Sequence, residues 1–226
     1  EGDSIDRFFA HFVLDDTQRG KILRDYPSAD LSHLPSTKAD VLKDLNDIWQ
    51  RHGFLTPAET QAALIEKYLP GADERLTRFI RDTELSRNKP EAVTGYLSKE
   101  HAYLATALAH LYAQQTGMPM TMVEVDFSNM GGTNDYFRQK LASEKSVLPL
   151  DIPQREAEVL TDLAVRVLSA GMTADIAAMY PDARIVPIRT GGDELRILIT
   201  GVSEPAEQLR LSDVLHANIE KRVAAM

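Results

Sequence analysis

Arg189-Thr190-Gly191-Gly192-Asp193-Glu194-Leu195 is the stretch whose reading decides the fold. It joins two β-rich runs, residues 184–188 and 195–200. Two such runs separated by a Gly-Gly-acid turn make a hairpin whose tip carries carboxylates at a sheet edge. A tip of that kind is where a protein can hold a divalent metal against phosphate. The same residues also fit a plain hairpin turn, in which glycine supplies positive φ at no steric cost. The surroundings weigh one reading against the other.

Around the hairpin the chain reads as mixed helix and strand. Residues 204–223 form a last helix. Residues 154–169 form a clear helix, with Val159, Leu160, Leu163, Val167 and Leu168 expected inside and Gly171 at its end. A further turn or two of helix is expected over 173–179, a loop over 147–153 and a helix over 133–143. Residues 120–127 read as a strand. Residues 98–115 read as an amphipathic helix with Ser98 as cap and Gly117 as stop. The fold class is therefore α+β, with helices against a mostly antiparallel sheet.

Upstream the pattern is helical. Val41, Leu42, Leu45, Ile48 and Trp49 have helical spacing over 38–51, with Ser36 or Thr37 as cap and Gly53 as stop. Thr56 caps a second helix that starts at Pro57 and runs to about residue 69. Pro70-Gly71 breaks it, and residues 73–85 suggest a third with Leu76, Phe79 and Ile80 on one face. Two shorter helices are expected over 5–12 and 17–26. The polar run Ser86-Arg87-Asn88-Lys89-Pro90 reads as a linker. It divides the chain into a helical module, 1–87, and a mixed domain, 88–226. His11, His33 and His52 lack metal spacing and read as ordinary packing or surface histidines.

Composition bounds the function. The net charge of −9 disfavours a general nucleic-acid binder, which needs a basic face. It leaves room for a single nucleotide whose charge is met by Mg²⁺ on carboxylates. The chain has no cysteine, hence no disulfide framework and no thiolate metal site. No apolar run approaches the roughly 20 residues of a membrane span, and no signal peptide is visible. A cytoplasmic location is expected. The chain opens on Glu1-Gly2 without methionine, so it is expected to be a piece of a longer protein.

Four features then fall in order: Glu91-Ala92-Val93-Thr94-Gly95-Tyr96-Leu97-Ser98-Lys99, the helix after it, Val123-Glu124-Val125-Asp126-Phe127, and the hairpin. Together they resemble the GGDEF domain family, the diguanylate cyclases and their inactive relatives. The likeness covers residues 88–226. It implies a palm-like antiparallel sheet with helices, as in nucleotide cyclases, behind an N-terminal helical bundle. It also implies bacterial cyclic di-GMP signalling, in which two GTP-loaded domains of a homodimer face each other. A 3′-hydroxyl attacks an α-phosphate in line, and two Mg²⁺ or Mn²⁺ ions neutralise the attacking and leaving oxygens. On this resemblance Glu124 and Asp193 are the metal pair, and Glu194 acts with Asp193 in positioning or deprotonating the nucleophile. Gly191, Gly192 and Asn134 lie against the nucleotide. The helical module is left to meet a protein partner.

The chain also departs from the family. Glu124 stands where the family has aspartate, and Mg²⁺ demands near-ideal octahedral geometry. The position that reads guanine falls on Ala157, which offers no polar contact to a base. The inhibitory Arg-x-x-Asp pattern is missing at Asp182-Ala183-Arg184-Ile185. The family's later strand and basic helix do not follow before Met226, so the domain is expected to be shortened or cut. These losses favour a degenerate, regulatory or binding domain. The alternatives are an active diguanylate or other nucleotidyl cyclase, and a helical interaction protein whose Gly-Gly turn is coincidental.

Overall fold

The computed structural model describes residues 2–72, 76, 77, 91, 93–127, 135, 139, 143 and 151–225. The linker expected over 86–90 lies outside them, as do Asn129, Asn134, Phe79 and Ile80. Of the helix expected over 73–85, Leu76 and Thr77 are described, and both are helical. Of the helix expected over 133–143, Asp135, Gln139 and Ser143 are described, also as helical. Among the described residues the chain is a mixture of helix and sheet, α+β as read from the sequence. No described helix is long and apolar enough to cross a membrane.

The chain divides into two compact units. The first comprises Glu1–Lys89 and Glu100–Met120. It holds α1 (Gly2–Ala10), α2 (Asp16–Asp25), α3 (Lys38–His52), α4 (Pro57–Tyr68) and nearly all of α5 (Lys99–Thr116). The helix starts follow local chemistry. Thr37 and Asp40 close a capping box on α3, and Thr56 and Glu59 close another on α4. Gly53 ends α3 with a φ of 72°, a value that glycine adopts without a Cβ clash. Val41, Leu45, Ile48 and Trp49 turn one stripe of α3 into the core. Tyr112 of α5 packs edge-on against Trp49, with centroids 5.6 Å apart, and also meets Phe54. Those ring contacts tie α5 to the first unit.

The second unit comprises Pro90–Lys99 and Thr121–Met226. It contains β1 (Met120–Asp126), α6 (Asp151–Met179), β2 (Ile185–Arg189), β3 (Glu194–Thr200) and α7 (Pro205–Ala224). The sheet order is β1-β3-β2, so β3 is central. β2 and β3 pair antiparallel from Ile185↔Ile199 to Arg189↔Leu195. On β3, Leu195, Ile197 and Ile199 share a core with Val165, Leu168, Met172 and Ile176 of α6 and with Leu211 and Leu215 of α7. Val186, Ile188 and Leu198 are buried on the opposite face. Pro187 is tolerated because its missing N–H would point to the outer edge of β2, beside that of Arg189. There, Leu97 N–H donates to Pro187 O (3.2 Å) and Arg189 N–H donates to Leu97 O (2.8 Å).

Two expectations for α6 are corrected. The helix does not stop at Gly171; it is continuous from Asp151 to Met179. The guanidinium of Arg222 lies across Gly171, where an added Cβ would stand 2.6 Å from Arg222 Cζ. Arg222 donates from there to both oxygens of Asp175, at 2.6 and 2.8 Å. Gly171 is therefore a packing glycine inside a helix, not a stop. The inward face is also different from that expected. Leu168 is buried, but Val159, Leu160, Leu163 and Val167 are exposed. With the core set by Val165, Leu168, Met172 and Ile176, the 100° step between residues turns the other four away.

Candidate functional site at the hairpin tip

The site begins with a turn built on Glu91. Its backbone N–H donates to Tyr96 O, and Gly95 N–H donates back to Glu91 O, both at 2.8 Å. Gly95 has a φ of 74°, so glycine is needed there. The Glu91 carboxylate accepts from Val93 N–H (3.0 Å), Thr94 N–H (2.9 Å) and the Thr94 hydroxyl (2.8 Å). It also accepts from Arg189 Nη1 at 2.9 Å. Burial pushes this carboxyl upward, but the donors from Thr94, Val93 and Arg189 outweigh it and hold the pKa at about 2. Tyr96 anchors the turn on α6 through its hydroxyl, 2.8 Å from that of Thr173.

Arg189 is the centre of the arrangement and is only 9% exposed. Besides Glu91, its Nη2 donates to Gly192 O (2.6 Å) and to Asp162 Oδ1 of α6 (3.3 Å), while Nε donates to Gly191 O (3.1 Å). One cation thus gathers the Glu91 turn, the long helix and two carbonyls of the hairpin tip. A guanidinium suits this, because its five donors form a rigid planar fork.

The tip itself is the four-residue connection Thr190-Gly191-Gly192-Asp193 between β2 and β3. It is closed by Thr190 N–H and Gly191 N–H donating to Glu194 O at 3.0 and 3.3 Å. Neither glycine is among the positive-φ glycines, so a left-handed turn is not why they are there. At Gly191 a Cβ would meet Glu194 Oε2 at 2.7 Å, the end of an exposed side chain that can swing aside. Gly192 would meet nothing within 4 Å. Asp193 is half-buried and Glu194 exposed. Phe127 N–H donates to Asp193 O at 3.0 Å, which brings the end of β1 to the tip.

Glu124 lies on β1 with its carboxylate on Arg196 of β3. Oε1 accepts from Nε at 3.0 Å and Nη2 at 2.5 Å. Glu124 and Asp193 carry the hard oxygen donors that Mg²⁺ takes. In this arrangement they do not fit a shared ion, because a guanidinium cation already holds Glu124; Arg196 would have to turn away first. Ala157 is fully buried on α6, and its carbonyl accepts from the Thr161 hydroxyl at 2.9 Å. Asn134 lies outside the described residues.

Of the residues singled out from the sequence, the structure groups Gly191, Gly192, Asp193 and Glu194 at one tip and brings the end of β1 to it. Three participants were missed. Asp162 reads in sequence as one more acid on a helix surface. Arg196 carries no motif. Glu91 belongs to a quoted motif, but nothing in its letters says that its partner is Arg189. No family model, curated protein or solved structure matches this chain.

Proposed function

We propose that residues 88–226 are a degenerate GGDEF-like domain that serves as a regulatory or nucleotide-binding unit in cyclic-dinucleotide-type signalling, not as a cyclase. The helical module meets a protein partner in this reading. The observation that carries it is the ion pair between Arg189 and Glu91, 98 residues apart. These residues open two of the motif segments that resemble the family, and in the fold they hold each other. Support for a non-catalytic role comes from Glu124, whose carboxylate is held by Arg196, and from Ala157, which is buried and apolar where a base would be read. The tip is also acidic, which disfavours a triphosphate unless a cation intervenes.

The test is direct. The protein is incubated with GTP or ATP and Mg²⁺ or Mn²⁺, and pyrophosphate and cyclic products are assayed. No product is expected. Product that disappears in Asp193→Ala would overturn the reading in favour of an active nucleotidyl cyclase. Thermal melting with added nucleotide tests the binding role. A ligand at 100 times its dissociation constant adds about 2.7 kcal/mol to stability, and no shift with any guanine or adenine nucleotide would remove nucleotide binding from the proposal.

A further inference from the structure

The outer face of α6 carries a second apolar pattern that the core does not use. Leu160, Leu163, Val167, Ala170, Ala174 and Ala177 recur at alternating steps of three and four residues. That is the seam of a coiled coil, which keeps one stripe facing a partner helix. At 100° per residue the stripe lies opposite Val165, Leu168, Met172 and Ile176, which face the core. Leu160 is 36% exposed, Leu163 52% and Val167 45%. The three alanines are exposed as well. No charged residue falls on the stripe.

We infer that two copies of this chain pair antiparallel through this face of α6. The sequence order of large and small residues identifies the occupant. The large side chains occupy the N-terminal half of the stripe and the alanines the C-terminal half. Reversing a second copy sets Leu160 against its Ala177, Leu163 against its Ala174 and Val167 against its Ala170. All three layers share one register, and each sets a large residue against a small one. Every layer also joins an a position to a d position, as antiparallel coiled coils require. The face is thus complementary to itself under a two-fold axis, the condition for an isologous dimer. A parallel pair would oppose leucine to leucine at one end and leave alanine facing alanine at the other.

The area agrees with a weak dimer. The stripe runs about 25 Å at 1.5 Å per residue. Two such faces in contact remove on the order of 1,000 Å² from water, at the lower edge of specific interfaces. The pairing needs nothing from the hairpin tip, so it stands or falls apart from the nucleotide reading.

Sedimentation of the full chain over a range of concentrations should show reversible dimer. Leu163→Glu should abolish it without changing the circular dichroism spectrum, since Leu163 is already half in water. Ala174→Leu should weaken it as well, although it adds apolar surface, because the added bulk meets Leu163 of the other copy. The absence of native cysteine gives a cleaner test of register. Leu163→Cys and Ala174→Cys proteins, mixed under mild oxidation, should form a disulfide-linked heterodimer, and neither should link to itself. Self-linking of Leu163→Cys alone would overturn the antiparallel register. A wild-type chain that stays monomeric at the highest concentration reached, or a Leu163→Glu chain that dimerises like wild type, would overturn the pairing altogether.

Discussion

Arg189 divides its guanidinium among Glu91, Asp162 and the carbonyls of Gly191 and Gly192. Removing one partner of a buried pair leaves the other charge uncompensated, which costs more than the net value of the pair. Glu91→Gln should therefore cost about 2 kcal/mol at neutral pH, and Arg189→Ala more, read by urea unfolding. The pH dependence has a definite sign. The folded pKa of Glu91, about 2, lies below its ordinary value. Its contribution is complete above the ordinary value and is lost as pH falls through the folded one. The gap between wild type and Glu91→Gln should thus narrow from about pH 5 downward and close only below about pH 2. A gap independent of pH would mean that Glu91 acts by shape and not by charge. At this scale the sequence was legible where a residue acts locally. Gly53, read as a helix stop, ends α3 with its N–H on Trp49 O, four residues back. Arg189 was visible as part of a motif, but its partner Asp162 was not, because nothing local relates an exposed acid on a helix to a hairpin 27 residues away.

Among the elements, those with local start and stop chemistry were read closely. Thr37, Gly53, Thr56 and Pro57 mark α3 and α4 as the structure has them, because a cap is satisfied by residues three or four positions away. The β2–β3 hairpin was also legible, since its strands are joined by the short turn that pairs them. α6 was misread twice, at Gly171 and in its inward face. Both errors come from contacts distant in the chain: Arg222 of α7 over Gly171, and the core that α6 shares with β3 and α7. Helix propensity favours Gly171→Ala by about 1 kcal/mol. The added Cβ, however, would strike the Arg222 side chain and displace it from Asp175. Net destabilisation of about 1 kcal/mol is expected, since overpacking typically costs 1–3 kcal/mol. In an Arg222→Ala background the same change should instead stabilise. A double-mutant cycle by thermal unfolding checks the change of sign, and Gly171→Ala stabilising both backgrounds would contradict it.

For the whole molecule, the division into units does not follow a single cut in the chain. The second unit takes Pro90–Lys99, the first takes Glu100–Met120, and the second resumes at Thr121. A fragment starting at Pro90 would carry α5 without Trp49 and Phe54, which pack on Tyr112. It should be less soluble than the full chain and should bind more of a dye that reports exposed apolar surface. A soluble fragment with normal cooperative unfolding would show that α5 does not need the first unit. The sequence by itself determined the α+β class, the helix caps, the hairpin and the acidic Gly-Gly tip, because periodicity and capping act over a few residues. Only the tertiary structure decided that Arg189 locks that tip to Glu91, that Arg196 holds Glu124, and that α6 runs unbroken with an apolar face outward. Each of those depends on a contact between residues far apart in the chain, and such contacts are chosen by how elements pack, not by the residues on either side.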